Sequence, residues 1–452
     1  MRPADSPTYD LARWQRRIFW TAWITYFAYY LCRLNMPVAN AQLCQTFSWD
    51  KAQMGGVFSA LTLMYAVGQF VNGQLADRFG ARVMASLGVL GSVLMNLAVF
   101  GLVLVAPRGA VAPGLALWLL IVFWGANGFC QAMGWPAIVR VMAHWTPARR
   151  RGQVMGAMGT CYLFGNAFTW LLAVLLTSFA EHLGGDWRSV FLVPALLFAA
   201  VGVLFFLLIR NCPEDVGLPP VNPERGPVGE TGKAAAPTLA RNVLTTLRNP
   251  YLWIVAGAFF MLDVTRYGFV NWLPDYFGKS PSGASNSVPL ELFKTIIKVC
   301  ILPLGGVPGM LLAGWLTDKA FGGRRAPVIV LLLTVLGLVS VLFPYVDPNN
   351  TLLVVAVLLL IGFCTYGPHI LMVGHAAQDF GRKSGAGGAA GFIDALGYIG
   401  ATLAGVGAGT LIQRYGYQVT FVTFGSAAIV GALLACLIWK VGPEARTATP
   451  PT

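Results

Sequence analysis

Arg33 and Arg266 lie where a membrane does not readily hold them. Arg33 sits in an apolar run that opens near Ile18 and continues past Met36; Arg266 sits in one that opens near Tyr251 and continues past Val270. A buried membrane arginine costs about 2.5–3.5 kcal/mol and in general lines a substrate path. Its guanidinium grips phosphate or carboxylate through a bidentate fork. Tyr26, Tyr30 and Arg33 fall at i, i+4 and i+7, so a helix presents them on one face. Tyr65 and Gln69 share a face in the same way, as do Asp263, Arg266, Tyr267 and Val270. Such a tyrosine stripe is costly against lipid and useful in a wet cavity, where phenols donate hydrogen bonds. Arg33 has no acid nearby in sequence. Arg266 has Asp263 one turn away, close enough to neutralise it. One such arginine in each half of the chain suggests a single anion clamped by both.

The elements that hold these residues are membrane helices. The chain has 452 residues, 56% of them hydrophobic and 11% charged, with a mean hydropathy of +0.66. A bilayer-crossing helix needs about 20 apolar residues. Twelve such spans are expected: 17–37, 54–76, 83–106, 114–143, 152–179, 188–210, 250–276, 292–317, 327–346, 351–378, 386–413 and 418–440. The start lacks a short apolar core followed by small residues, so the first span is expected to serve as the targeting signal. The net charge of +13 does not mark a nucleic-acid binder. It collects in alternate loops, at Arg13, Arg16 and Arg17, at Arg78 and Arg82, at Arg149–Arg151, at Lys319, Arg324 and Arg325, and at Arg382 and Lys383. This positive-inside pattern predicts a multi-pass membrane protein with both termini in the cytoplasm. The eight cysteines show no metal or disulfide spacing and read as small packing residues.

The longest hydrophilic interruption divides the spans six and six. It predicts an N-terminal bundle over 1–210, a cytoplasmic linker over 211–245, rich in Pro, Glu, Gly and Ala, and a C-terminal bundle over 246–452. The halves repeat a loop. Gly73, Asp77, Arg78, Gly80 and Arg82 follow the second span; Gly314, Asp318, Lys319, Gly322, Gly323, Arg324 and Arg325 follow the eighth. Parallel repeats of this kind build transporters with a midplane site between halves.

This pair of loops resembles the signature of the major facilitator superfamily, over nearly the whole chain. The resemblance implies that Asp77, Arg78, Arg82, Asp318 and Lys319 act in gating. Further stretches are similar to the organophosphate:phosphate antiporter family: Tyr29-Tyr30-Leu-Cys-Arg33-Leu-Asn35, Gln131 through Trp135-Pro136, His144-Trp145, Arg266-Tyr267-Gly268, Trp272-Leu-Pro274, Tyr366-Gly367-Pro368, and Ala390-Gly-Phe392 through Gly397-Tyr398. The resemblance implies that Arg33 and Arg266 are the paired anion grips and that Tyr26, Tyr30, Tyr65, Trp135, Tyr366 and Tyr398 line the cavity. Gln131 belongs to the same candidate set.

The departures bear on the ligand. Where family members that carry glycerol-3-phosphate have a lysine in the second span, this chain has Gln69; where they have a histidine in the fifth, it has Tyr162; where they have a tyrosine before the second arginine, it has Asp263. Asp394 adds an acid in the eleventh span, and His369 is a candidate cavity residue in the tenth. Asp263 and Asp394 have three readings: structural pairing, recognition of a cationic group, and proton relay. The expected protein is thus a monomeric, all-α, twelve-helix transporter of an organic anion or zwitterion. Its counter-substrate would be inorganic phosphate or a proton. Proton-coupled movement of a larger solute and sugar-phosphate sensing are the alternatives. No cofactor, metal site or catalytic constellation is expected.

Overall fold

The computed structural model describes residues 7–106, 111–147, 150–183, 186–221, 247–278, 288–376 and 386–440, and among them no strand occurs. The helices are α1 (Pro7–Tyr29), α2 (Asn35–Phe47), α3 (Lys51–Phe79), α4 (Ala81–Val105), α5 (Pro113–Gln131), α6 (Gly134–Trp145), α7 (Arg151–Leu183), α8 (Ser189–Leu208), α9 (Pro250–Gly278), α10 (Val288–Ala320), α11 (Ala326–Leu342), α12 (Thr351–His369) and α13 (Ala386–Cys436). Helix occupies every predicted span. Among the described residues, nine helical segments are long and apolar enough to cross a bilayer. One of them, Ala390–Cys436, holds two predicted spans, divided where Gly416 leaves helical geometry at φ 79°. The first two spans are helical as well.

Two predicted spans are broken, and each break stands a few residues before a proline. A proline ring clashes with the carbonyl four residues earlier and offers it no N–H. Pro37 acts so on Arg33, where a 3₁₀ turn over Tyr30–Cys32 separates α1 from α2. Arg33 itself is off helical geometry at φ −121°, ψ −41°. Pro136 acts on Ala132, between α5 and α6. In the tenth span α12, which contains Pro368, runs into a π-helix over Ile370–Ala376. Such π segments are rare and frequent at functional sites.

The chain forms two compact units. One comprises Met1–Met36 and Val67–Ala235; the other comprises Pro37–Ala66 and Ala236–Thr452. The second unit therefore includes α2 from Pro37 onward and the first half of α3. That hairpin packs closely on α13: a side chain at Gly55 or Gly405 would strike the facing backbone. Small residues at helix crossings serve the same close approach in membranes generally. The predicted glycine turns are present, with positive φ at Gly80, Gly322 and Gly323.

Candidate functional site

In the first unit the break in the first span gathers the predicted residues. Arg33 is 4% exposed, and its guanidinium carbon lies 5.5 Å from the Tyr30 ring centre. Tyr30 stacks on Tyr162 at 6.4 Å and meets Tyr26 edge-on at 5.9 Å. Tyr26 in turn packs on Trp135 at 4.9 Å. The result is an arginine at the head of an aromatic wall with phenol groups. The helical spacing alone pictured one straight face; the 3₁₀ turn bends it, yet Tyr26, Tyr30 and Arg33 still meet. Gln131 is placed differently from the tyrosines. Its amide donates to the Tyr29 carbonyl at 3.0 Å and to Ser92 Oγ at 3.2 Å, which ties it to the helix break. Gln69 is half-buried on α3.

The second unit holds the other arginine. Arg266 donates to Asp263 Oδ1 at 3.2 Å; both are buried, so the pair expected from their spacing is formed. The guanidinium carbon lies 5.0 Å from the Tyr267 ring centre and 5.3 Å from that of Tyr366. Cation–π contacts of this kind strengthen when water is excluded. Tyr398 packs on Tyr267 at 5.8 Å and on Tyr65 at 4.4 Å. His369 lies between Phe259 at 5.2 Å and Tyr366 at 6.2 Å. Close packing admits no side chain at Gly397, whose added carbon would meet Phe259 and Asp263 Oδ2. Asp394 is half-buried, one turn before Tyr398. Among the described residues Arg266 Nε has no hydrogen-bond acceptor.

Of the loop residues, Arg82 donates from its backbone to Asn211 Oδ1 at 2.9 Å and from Nε to the Phe206 carbonyl at 2.8 Å. It thereby ties the start of α4 to the end of α8. Arg78 and Lys319 are exposed. The side chains of Asp77 and Asp318 lie outside the described residues, as do most of the linker and the Arg382–Lys383 loop.

One ionic cluster has no counterpart in the sequence reading. Lys51 Nζ lies 2.6 Å from Asp275 Oδ1, and the Tyr417 hydroxyl donates to Asp275 Oδ2. Lys51 N also donates to Gln413 Oε1. These contacts fasten the start of α3 to α9 and α13 within the second unit. The available signal was a lysine and an aspartate at the ends of apolar runs, with nothing local to pair them.

The sequence profile of the Major Facilitator Superfamily matches residues 18–405. The chain belongs to that superfamily. This major facilitator is 29% identical over 443 residues to the glycerol-3-phosphate transporter of Bacillus subtilis, covering 96% of this chain and 94% of that one. It is 30% identical over 443 residues to a probable hexose phosphate transport protein of Chlamydia pneumoniae, covering 94% and 91%. The membrane sensor protein UhpC of Escherichia coli is 28% identical over 445 residues, covering 96% and 95%. Within the superfamily the chain therefore falls in the organophosphate:phosphate antiporter family, whose members here are transporters and a sensor rather than enzymes. Among solved structures, a bacterial homologue of the lysosomal transporter Spinster aligns at a TM-score of 0.71 with 14% identity, covering 97% of this chain and 99% of that one. A D-xylose–proton symporter aligns at 0.68 with 15% identity, covering 96% and 99%. Those two likenesses establish the fold.

Proposed function

We propose that this facilitator carries a small organic anion, an organophosphate or carboxylate-bearing solute, across a bacterial-type inner membrane, as a monomer with both termini in the cytoplasm. The 1–210 and 246–452 halves, joined by the 211–245 linker, alternate access around one site. Arg33 and Arg266 take the anion, and Tyr26, Tyr30, Tyr65, Trp135, Tyr162, Tyr366 and Tyr398 contribute aromatic walls and phenol donors. The observation that carries this reading is that each unit buries one arginine against tyrosines, Arg33 on Tyr30 and Arg266 on Tyr267 and Tyr366. Two such guanidinium groups repel unless an anion lies between them, so return of the empty carrier is unfavourable and exchange is favoured. The relatives named for glycerol-3-phosphate and hexose phosphate support the substrate class.

The Asp263–Arg266 pair favours a second reading, in which the ligand is zwitterionic or larger and a carboxylate meets its cationic group. Reconstitution in liposomes separates the readings. Uptake of a labelled sugar phosphate that requires internal inorganic phosphate supports exchange. Uptake driven by a pH gradient alone supports proton coupling. Binding with no uptake supports a sensor. Arg33→Ala is expected to abolish uptake; full uptake by that variant overturns the anion-grip reading.

A further inference from the structure

The break at Arg33 exposes backbone acceptors that a continuous helix would satisfy by itself. Arg33 N bonds the Tyr30 carbonyl at 3.1 Å, three residues back, where a continuous α-helix would have it reach Tyr29. Met36 N bonds Asn35 Oδ1 at 3.1 Å and so leaves the Cys32 carbonyl. An unsatisfied backbone group in a bilayer costs several kcal/mol, so the Cys32 carbonyl must find another donor. Gln131 Nε2 adds a bond to the Tyr29 carbonyl at 3.0 Å. Asn127 Nδ2 at 2.7 Å and Asn96 Nδ2 at 3.1 Å both supply the Cys32 carbonyl. Asn35 in turn holds Asn96, donating to its Oδ1 at 2.9 Å, and donates to the Val190 carbonyl at 3.0 Å. Asn35, Asn96 and Asn127 are all 0% exposed.

We infer that Asn96 and Asn127 are positioning residues for anion capture, fixing through the Cys32 carbonyl the backbone turn from which the Arg33 guanidinium projects. The inference rests on the reading of Arg33 as the anion grip. Neither asparagine is needed to close a regular helix here, since apolar residues at 35, 37, 96 and 127 would let the i+4 bonds form. What the asparagines maintain is the non-helical backbone of Arg33, the residue next to the carbonyl they hold. A 1 Å error in placing such a group costs far more than its distance from the asparagines suggests.

The test uses the full chain in detergent, with inorganic phosphate as probe. Asn127→Leu removes a donor at similar volume and is expected to weaken phosphate binding about tenfold, the order of one lost buried hydrogen bond. Asn127→Ser keeps a donor and is expected to bind within about threefold of the parent protein. A second readout needs no ligand: with Arg33→Cys as a reporter, Asn127→Leu should change the rate of labelling at that position by a small charged thiol reagent about tenfold. Should Asn127→Leu not fold, Asn127→Ala, which removes the same donor without added bulk, takes its place in both assays. Unchanged labelling and parent-like binding in these variants overturn the positioning role. Phosphate binding that survives Arg33→Ala overturns the anion-grip reading instead, and the two failures are thus distinguishable.

Discussion

Lys51 Nζ stands 2.6 Å from Asp275 Oδ1, joining α3 to α9 across a buried interface within one unit. Removing one partner of a buried pair leaves an uncompensated charge and costs about 3–5 kcal/mol, whereas replacing both with apolar groups is often neutral. Lys51→Met and Asp275→Asn should each lower the unfolding temperature in detergent, and Lys51→Met with Asp275→Leu should recover most of the loss. Additive losses in the double variant would refute the pairing.

Asp263 holds Arg266 in a like manner, but beside the proposed anion path. Asp263→Asn keeps the shape and removes the competing charge. Inorganic phosphate should then bind roughly tenfold tighter, about 1.4 kcal/mol, while a zwitterionic ligand should bind more weakly. Titration calorimetry with both ligand types reads the two signs. Weaker phosphate binding in Asp263→Asn would show that the carboxylate aligns Arg266 rather than opposing the ligand.

Gly397 is packed so closely that a methyl group would press on Phe259 and on Asp263 Oδ2. Overpacking of this kind costs about 1–3 kcal/mol. Gly397→Ala should lower stability by that order and should weaken phosphate binding as well, because the displaced carboxylate carries Arg266 with it. Stability loss with normal binding would separate the glycine from the site.

Cys212 lies beyond the end of α8, where burial and its hydrogen bond to Asp215 push its thiol up to about 12. A raised value keeps the thiol protonated through the neutral range, and the reactive thiolate grows only as pH climbs toward that value. Maleimide labelling at pH 8 should therefore be slow at Cys212 in the native protein and rapid after denaturation. Fast native labelling would contradict the buried, hydrogen-bonded thiol.

The spans were legible because a bilayer imposes a length and an apolar composition on any crossing helix. The glycine turns at Gly80 and at Gly322–Gly323 were legible because their positive φ suits a residue without a side chain. The arginine clusters were legible in part: Tyr30 beside Arg33 and Asp263 beside Arg266 follow from one helix, while Trp135, Tyr162 and Tyr398 were placed by resemblance and only tertiary packing brings them in. The helix breaks carry a local signal, Pro37 and Pro136 inside apolar runs. The roles of Asn96 and Asn127 had a weaker one, since an amide in an apolar helix must find a partner but does not say which. The Lys51–Asp275 pair had none, because its partners are 224 residues apart.

That separation also sets a schedule. A ribosome adds about 5–20 residues each second, so Lys51 is made on the order of ten to forty-five seconds before Asp275 exists. For that interval the early hairpin, Pro37–Ala66, lacks the α9 and α13 partners on which it packs, and its lysine lacks Asp275. The second unit cannot close until the chain has nearly emerged. Slower translation of the later helices would lengthen the exposure and give the cell's quality-control proteases more time to act on the unfinished chain.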